Sequence, residues 1–212
     1  MKGFTANLRI IKLTGMPPES YQNLSDEALA EMVLKDAHAL VTLIRRYESR
    51  LLIYIRRISG FSYEDAEDIL QESFMDAYRN ISAFDPSLKF SSWIYRIAHN
   101  RTISAYRKKK KAMGDVSIDD DDEGFMRLLA AQSDSSNLAE QSLTKQMVNK
   151  ILSTLPERDR TVLVLAYIEE KTYDEIGDIL KAPAGTVATW IHRAKKKFHK
   201  ETGKTEYIKK TI

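Results

Sequence analysis

The stretch TYDEIGDILKAPAGTVATWIHRAKKK, residues 172–197, decides how this chain folds. It reads as two short helices joined by a tight turn. Thr172 and, three positions on, Glu175 have the spacing of a capping box, in which a hydroxyl and a carboxylate satisfy amide donors orphaned at a helix start. Ile176, Ile179 and Leu180 follow at core-facing spacing, so the first helix is expected to begin near Tyr173. It should break at Lys181-Ala182-Pro183, because Pro183 disfavours helical geometry in Ala182 while suiting the first turn of a new helix. In that second helix Val187, Ile191, Ala194 and Phe198, at ~100° per residue, form one narrow apolar stripe that must pack on something.

The opposite face carries Thr189, His192 and Lys196, flanked by Ala188, Lys195, Arg193 and Lys200. Short polar groups come first and cations later, the order expected when early residues meet base edges and later ones meet phosphates. A plain amphipathic hairpin with a solvated basic face would look similar from these residues alone. Trp190 lies only ~60° from the apolar stripe, which suits packing at the groove edge better than reading a base.

Working outward, 212 residues suggest one or two domains, and 43% hydrophobic with 30% charged residues allows ordinary buried cores. The net charge of +3 says little by itself, but the charge is strongly segregated along the chain. With no cysteine, disulfides, thiolate nucleophiles and cysteine-ligated metal centres are excluded. No apolar run is long enough for a secretion signal or a ~20-residue membrane span, so a cytoplasmic protein without membrane insertion is expected. His192 and His199 are seven residues apart, too far for a compact helical metal pair, and no carboxylate pairing suggests acid–base work. Neither a metal nor another cofactor, nor any catalytic residue, is expected.

Residues 1–23 read as a mobile N-terminal extension punctuated by Gly15 and Pro17-Pro18. Ser25 caps a short helix and Asp36 a second. From there Leu40, Leu43, Ile44, Tyr47, Leu51, Ile55 and Ile58 hold helical spacing for about five turns, with Arg45, Arg46, Arg50, Arg56 and Arg57 on the other face. Gly60-Phe61-Ser62 ends that helix, and Ser62 with Asp65 opens the next, from Tyr63 to about Ile81. Its core stripe is Ala66, Ile69, Leu70, Phe74, Ala77 and Tyr78; Glu64, Asp65, Asp68, Gln71, Glu72 and Asp76 face elsewhere, as a solvated surface or a partner site.

After a loop with Phe84, Asp85, Pro86 and Phe90, Ser91 is expected to cap a further helix, SSWIYRIAHNRTISAYRKKKK. One face holds Trp93, Arg96, Ile97, Asn100, Ser104 and Arg107, while Ile94, Ala98 and Ala105 can seek the core. An indole, two guanidiniums and a carboxamide together suit nucleic acid, where aromatics stack on unpaired bases and cations hold the backbone; Trp93 could equally sit at a core boundary. Arg107, Lys108 and the lysines that follow extend the phosphate-binding charge. Residues 113–140 contain the acidic block Asp119 to Glu123 and the loop signal SDSSN, and read as a flexible acidic linker. Helical spacing resumes at Leu143, Met147, Ile151 and Leu155, and again after Pro156 with Val162, Leu163, Leu165, Ala166 and Ile168.

These motifs, in this order, resemble a bacterial RNA polymerase sigma factor of the sigma-70 family, extracytoplasmic-function group, over essentially all of residues 24–200. AEDILQESFMDAYRNISAF resembles the segment that binds the polymerase clamp. FSSWIYRIAHNRTISAYRKKKK resembles the segment that melts and reads the −10 element, and LPERDRTVLVLAYIEEKTYDEIGDILKAPAGTVATWIHRAKKKF the region-4 module that binds the −35 element and the polymerase flap. The resemblance implies an all-α protein: an extension (1–23), region 2 (24–112), the linker (113–140), a region-4 helix-turn-helix domain (141–201) and a basic tail (202–212). It implies a promoter-specificity subunit whose partners are core RNA polymerase, promoter DNA and an anti-sigma factor. Polymerase binding then falls to Asp65, Asp68, Gln71, Glu72 and Asp76. Single-strand −10 recognition falls to Phe84, Asp85, Trp93, Arg96, Asn100, Arg107 and Lys108, with Phe84 and Asp85 in the loop that captures a flipped base. Duplex −35 recognition falls to Thr186, Ala188, Thr189, Trp190, His192, Arg193, Lys195 and Lys196. The sequence departs from the family at Ser104, which stands in place of Asp, at Gly177, in place of Ala, and at Ala188 and Trp190, where basic residues are common. The alternatives are a stand-alone helix-turn-helix regulator, a recombinase with such a module, or a pure interaction protein; no βαβ pattern supports the second, and the third needs no Trp93/Arg96/Asn100 face.

Overall fold

A computed structural model describes residues 19–112 and 141–204. The expectations for residues 1–18, the acidic linker 113–140 and residues 205–212 lie outside the described residues. Eight α-helices follow: α1 (Asp26–Met32), α2 (Ala37–Ser59), α3 (Tyr63–Arg79), α4 (Phe90–Ala112), α5 (Gln141–Ser153), α6 (Glu157–Tyr167), α7 (Tyr173–Leu180) and α8 (Ala184–Lys204). Among the described residues there is no strand, so the all-α expectation holds.

The helix starts come from short-range chemistry. Side-chain oxygens of Ser25, Asp36 and Ser62 accept the N–H groups of Ala28, His38 and Asp65. At α7 both halves of the capping box form: Glu175 N–H donates to Thr172 Oγ1 at 3.3 Å, and Thr172 N–H to Glu175 Oε2 at 2.8 Å. Gly60 ends α2 in the left-handed region at φ 70°, a conformation glycine adopts without a Cβ penalty.

Three expectations need correction here. The N-terminal extension is not mobile throughout, since residues Glu19–Asn23 form a 3-10 turn held by the Arg46 guanidinium. Arg46 donates to the carbonyls of Tyr21, Gln22 and Leu24 at 3.1, 2.8 and 2.9 Å and pairs with Asp26 at 2.6 Å. Ser91 does not cap α4: that helix starts at Phe90, whose N–H donates to Glu27 Oε1 of α1 at 3.0 Å. Tyr78 is 45% exposed rather than in the core. The buried set of α3 centres on Ala77, and Tyr78 stands one residue, ~100°, round from it. Ser73 fills the stripe instead, its hydroxyl donating to the Ile69 carbonyl at 2.7 Å.

In the first domain α2 is the central rod, with Leu51, Tyr54 and Ile55 fully enclosed, and α1, α3 and α4 packed around it. In the second, Val187, Ile191 and Ala194 of α8 are at most 2% exposed and close over α6 and α7, as the apolar stripe requires. The helix runs on to Lys204, so no element boundary separates a tail at 202. The two domains touch along α2–α6 and α4–α7, and their buried side chains form one contiguous cluster. At that seam Arg160, 1% exposed, donates from Nε to the Ile58 carbonyl at 3.0 Å.

Candidate nucleic-acid interface

Because the stripe of α8 is buried, the opposite face must be open. Thr189, His192, Arg193 and Lys196 are all exposed there, with Thr186 and Ala188 half-buried beside them. The turn that presents this helix is tight: Ala182 N–H donates to the Gly177 carbonyl at 3.0 Å, and Lys181 sits at φ 54°, ψ 50°. Two of the expected −35 residues also make contacts within the domain. The Lys195 ammonium lies 5.5 Å from the Tyr167 ring centroid, and Trp190 packs half-buried with the Arg158 guanidinium 5.3 Å over its ring. Trp190 is therefore a packing residue in this state. The thiol-free, polar face left between them offers a guanidinium, an ammonium, an imidazole and a hydroxyl, which is a donor set for base edges and phosphates.

On the first domain the row along α4 is graded. Trp93 and Arg96 are half-buried, and Asn100, Ser104, Arg107 and Lys108 are exposed. Trp93 belongs to an aromatic cluster, its ring 5.3 Å from Phe84 and 5.6 Å from Phe90, with Phe84 and Phe90 edge-to-face at 5.5 Å. Phe84 is 8% exposed, so as the chain is folded it shows no face to an unpaired base. Its ring is the anchor of the loop, because an aromatic beside two others gains more from burial than from water. Asp85 next to it is exposed; its carboxylate accepts the Ser87 N–H at 2.9 Å, and that bond holds its pKa low. The loop thus presents Asp85, braced from behind by Phe84.

The acidic face of α3 is less free than its sequence suggests. Asp65 pairs with Lys109 at 2.8 Å, Glu72 with Arg101 at 2.8 Å, and Asp76 with Arg101 at 2.5 Å. Asp68 is exposed with no ion pair among the described residues, and Gln71 lies half-buried beside it. Arg101 was not singled out from the sequence, and Lys109, expected among the phosphate-binding lysines, is paired with Asp65 instead; both lie on the α4 turns that face α3. A groove of about 490 Å³ between the two helices is lined by Asp65, Asp68, Glu72, Arg101, Ser104 and Lys108, so it carries both signs of charge. Among the described residues no three His, Asp or Glu side chains converge as a metal site, and no helix is long and apolar enough to cross a membrane.

Two family models match in the order of these two domains: Sigma-70 region 2 over residues 43–112, and Sigma-70, region 4 over residues 145–198. The chain is 39% identical over 173 residues to the ECF RNA polymerase sigma factor SigW of Bacillus subtilis, covering 78% of this chain and 90% of that protein. Its fold is shared by CnrH, solved with the cytosolic domain of CnrY, at a TM-score of 0.63 and 21% identity over 85% of this chain and 99% of that one. It is shared also by the sigma factor RpoE of Bartonella quintana, solved with the anti-sigma factor NepR, at a TM-score of 0.56 and 19% identity over 75% of this chain and 93% of that one. With both regions present in order and one relative matched over nearly its whole length, the chain belongs to the sigma-70 family, among the ECF RNA polymerase sigma factors.

Proposed function

We propose that this chain is the promoter-specificity subunit of a bacterial RNA polymerase, and that it divides promoter reading between its domains by the kind of DNA each meets. One observation carries this: a single chain presents an exposed polar-to-basic face on α8 and a separate carboxamide, guanidinium and indole row on α4, each on the domain that matches its family region. The α8 face, with Thr189, His192, Arg193 and Lys196, enters the major groove of intact duplex at the −35 element, where each base pair shows a distinct pattern. Arg193 is the residue able to make a bidentate base contact there. Asn100, Arg96 and Trp93, with Asp85 on the adjoining loop, take the unpaired −10 strand, where stacking and hydrogen bonding reach the edge that pairing hides. Arg107 and Lys108 hold its phosphates. Asp68, exposed on the α3 face, docks on core polymerase with the half-buried Gln71 beside it, and an anti-sigma factor is a further partner, as for the RpoE neighbour. The chain performs no chemistry itself.

Permanganate reactivity of promoter thymines in reconstituted holoenzyme tests the division. Arg193→Ala should bind normal duplex promoter more weakly, by ~1–3 kcal/mol, yet open a premelted −10 template normally. Asn100→Ala should keep upstream duplex contacts and fail at opening. The opposite pattern would mean the two surfaces are exchanged, and tight sequence-specific binding of duplex by the free chain would point to a stand-alone regulator.

A further inference from the structure

The open face of α8 carries charge of one sign. Between Thr186 and Lys200 the helix holds Arg193, Lys195, Lys196, Lys197 and Lys200 and not one carboxylate. His192 stands exposed among them, with Thr189 a turn before it and Lys195 and Lys196 a turn after. The charged and titratable groups that neighbouring helices bring to α8 are engaged elsewhere. From α6, Arg158 lies over the Trp190 ring, Tyr167 lies beside Lys195, and Asp159 takes the Lys197 ammonium at 2.5 Å. From α7, Asp174, Asp178 and Lys181 line a cleft of about 450 Å³ shared with Arg96. From α5, Val148 and Leu152 close an apolar pocket of about 240 Å³ on Phe198 and His199. Among the described residues, then, no carboxylate is set against His192. Thr189 gives its hydroxyl proton to the Gly185 carbonyl at 3.0 Å, so it offers a ligand lone pairs rather than a donor. An additional charged donor on this flank comes from the imidazole, when it takes up a proton.

Helix geometry says what the ring would meet. At ~100° per residue, His192 lies about a quarter turn round α8 from Arg193. A helix ~10–12 Å across with its side chains fills a major groove ~12 Å wide, so when one side faces base edges, a residue a quarter turn away faces the groove wall, which is phosphate. With Arg193 on base edges, His192 is on the backbone. A phosphate within ~4–6 Å favours the charged ring, so the imidazole's pKa rises when DNA arrives. The extra affinity is therefore complete at pH values below that of the free imidazole, and it is lost as the pH rises through the value in the complex. Imidazoles ordinarily titrate near pH ~6.5, which sets the window at about pH 6 to 8.

We infer that His192 is a proton-dependent phosphate contact: the −35 duplex is bound with uptake of a proton, and promoter affinity rises as the pH falls from 8 to 6. This rests on the proposed function, in which α8 enters the −35 groove. Holoenzyme reconstituted with the parent or a variant is titrated with a labelled duplex promoter fragment, and with the same fragment carrying a scrambled −35 element, at pH 6, 7 and 8. One core enzyme serves every variant, so its own titration cancels in the ratio of parent to variant. Relative to His192→Gln, the parent should gain about three- to tenfold between pH 8 and pH 6, because a pKa raised by one unit on binding is a tenfold gain once complete. His192→Lys carries a charge that does not titrate in this window, and it should bind tightly at pH 8 and lose the pH dependence. Salt gives a second readout that a merely structural histidine would not move: the parent's log–log salt slope should be steeper at pH 6 than at pH 8 by up to ~0.9, the share of one phosphate contact, and that of His192→Gln should be the same at both. His199, turned to the apolar pocket, is the control, and His199→Gln should titrate like the parent. A rise of equal size in the parent and His192→Gln, or one abolished by His199→Gln, would overturn the inference. Preference for the intact −35 fragment without the pH gain sinks the inference alone, whereas no preference for that fragment in any variant at any pH sinks the proposed function and the inference with it.

Discussion

Replacing Gly177 by Ala sets two effects of opposite sign against each other. Gly177 lies inside α7, where the exchange of a glycine for alanine ordinarily stabilises a helix by about 1 kcal/mol. Here it should destabilise. A Cβ at Gly177 would stand 2.5 Å from the Ala182 carbonyl oxygen, where ordinary contact begins at 3.4 Å. The obstacle is backbone, and it cannot swing away: Ala182 leads into the fixed ring of Pro183, and its own N–H is bonded back to the Gly177 carbonyl at 3.0 Å. Accommodating the methyl means prising the helix-turn-helix apart by about 1 Å, which costs roughly 1–3 kcal/mol for overpacking and strains a bond worth about 1 kcal/mol. Set against the propensity gain, the net loss is about 1–2 kcal/mol. Urea unfolding followed by far-UV circular dichroism should show a lower midpoint with an unchanged slope. Because α8 pivots on this turn, −35 duplex affinity in holoenzyme should fall as well. An alanine variant as stable as the parent would refute the claim that the Ala182 carbonyl fixes the turn.

Arg46→Ala should cost the first domain about 2–4 kcal/mol, since three carbonyls and Asp26 lose one shared charged donor; a thermal shift within error of zero would show the 3-10 turn to be held by other means. Asp68→Lys should weaken binding to core polymerase without changing the melting temperature, because that carboxylate is exposed and has no ion pair among the described residues to lose; unaltered holoenzyme assembly in a competition assay would remove α3 from the interface. His99, bonded to the Tyr54 hydroxyl at 3.0 Å, has its pKa pushed down to about 4, first by burial and then by Arg107. The unfolded chain therefore takes up this proton first, so stability is full above pH ~6.5 and falls as the pH drops toward 4, by at most ~1.4 kcal/mol per unit. His99→Gln should flatten the pH 6.5–5 limb of a stability profile, and an identical slope in the variant would place the proton elsewhere.

What the sequence made legible is what short-range chemistry writes. Thr172, Glu175 and Pro183 fix helix ends within a few residues of themselves, and Val187, Ile191 and Ala194 repeat at the helical period, so α7, α8 and the buried stripe could be placed before any coordinates. The errors fell where the partner is far along the chain. Glu27 takes the Phe90 amide from 63 residues away, so nothing near Ser91 could reveal that the cap was already supplied. Phe84 sits in a loop without periodicity, and only the arrival of Phe90 and Trp93 decides that its ring turns inward. The acidic face of α3 was visible, but Arg101 and Lys109, which neutralise part of it, lie 25 or more residues downstream. The seam was illegible for the same reason: Glu169 and Lys171, which meet Tyr95 and Ser91 across it, are two single charges in a short turn, with no pattern to mark them.

The Arg46 hub separates two notions of a domain. The region-2 family match begins at residue 43, partway along α2, whereas the guanidinium three residues later binds the chain at Tyr21, Gln22, Leu24 and Asp26. Leu29, Ala30 and Val33 of the preceding segment are almost wholly enclosed, and Glu27 secures the start of α4. The packed unit therefore reaches back at least to Tyr21, and a fragment cut at the family boundary should keep the recognisable motif while losing contacts that hold it together.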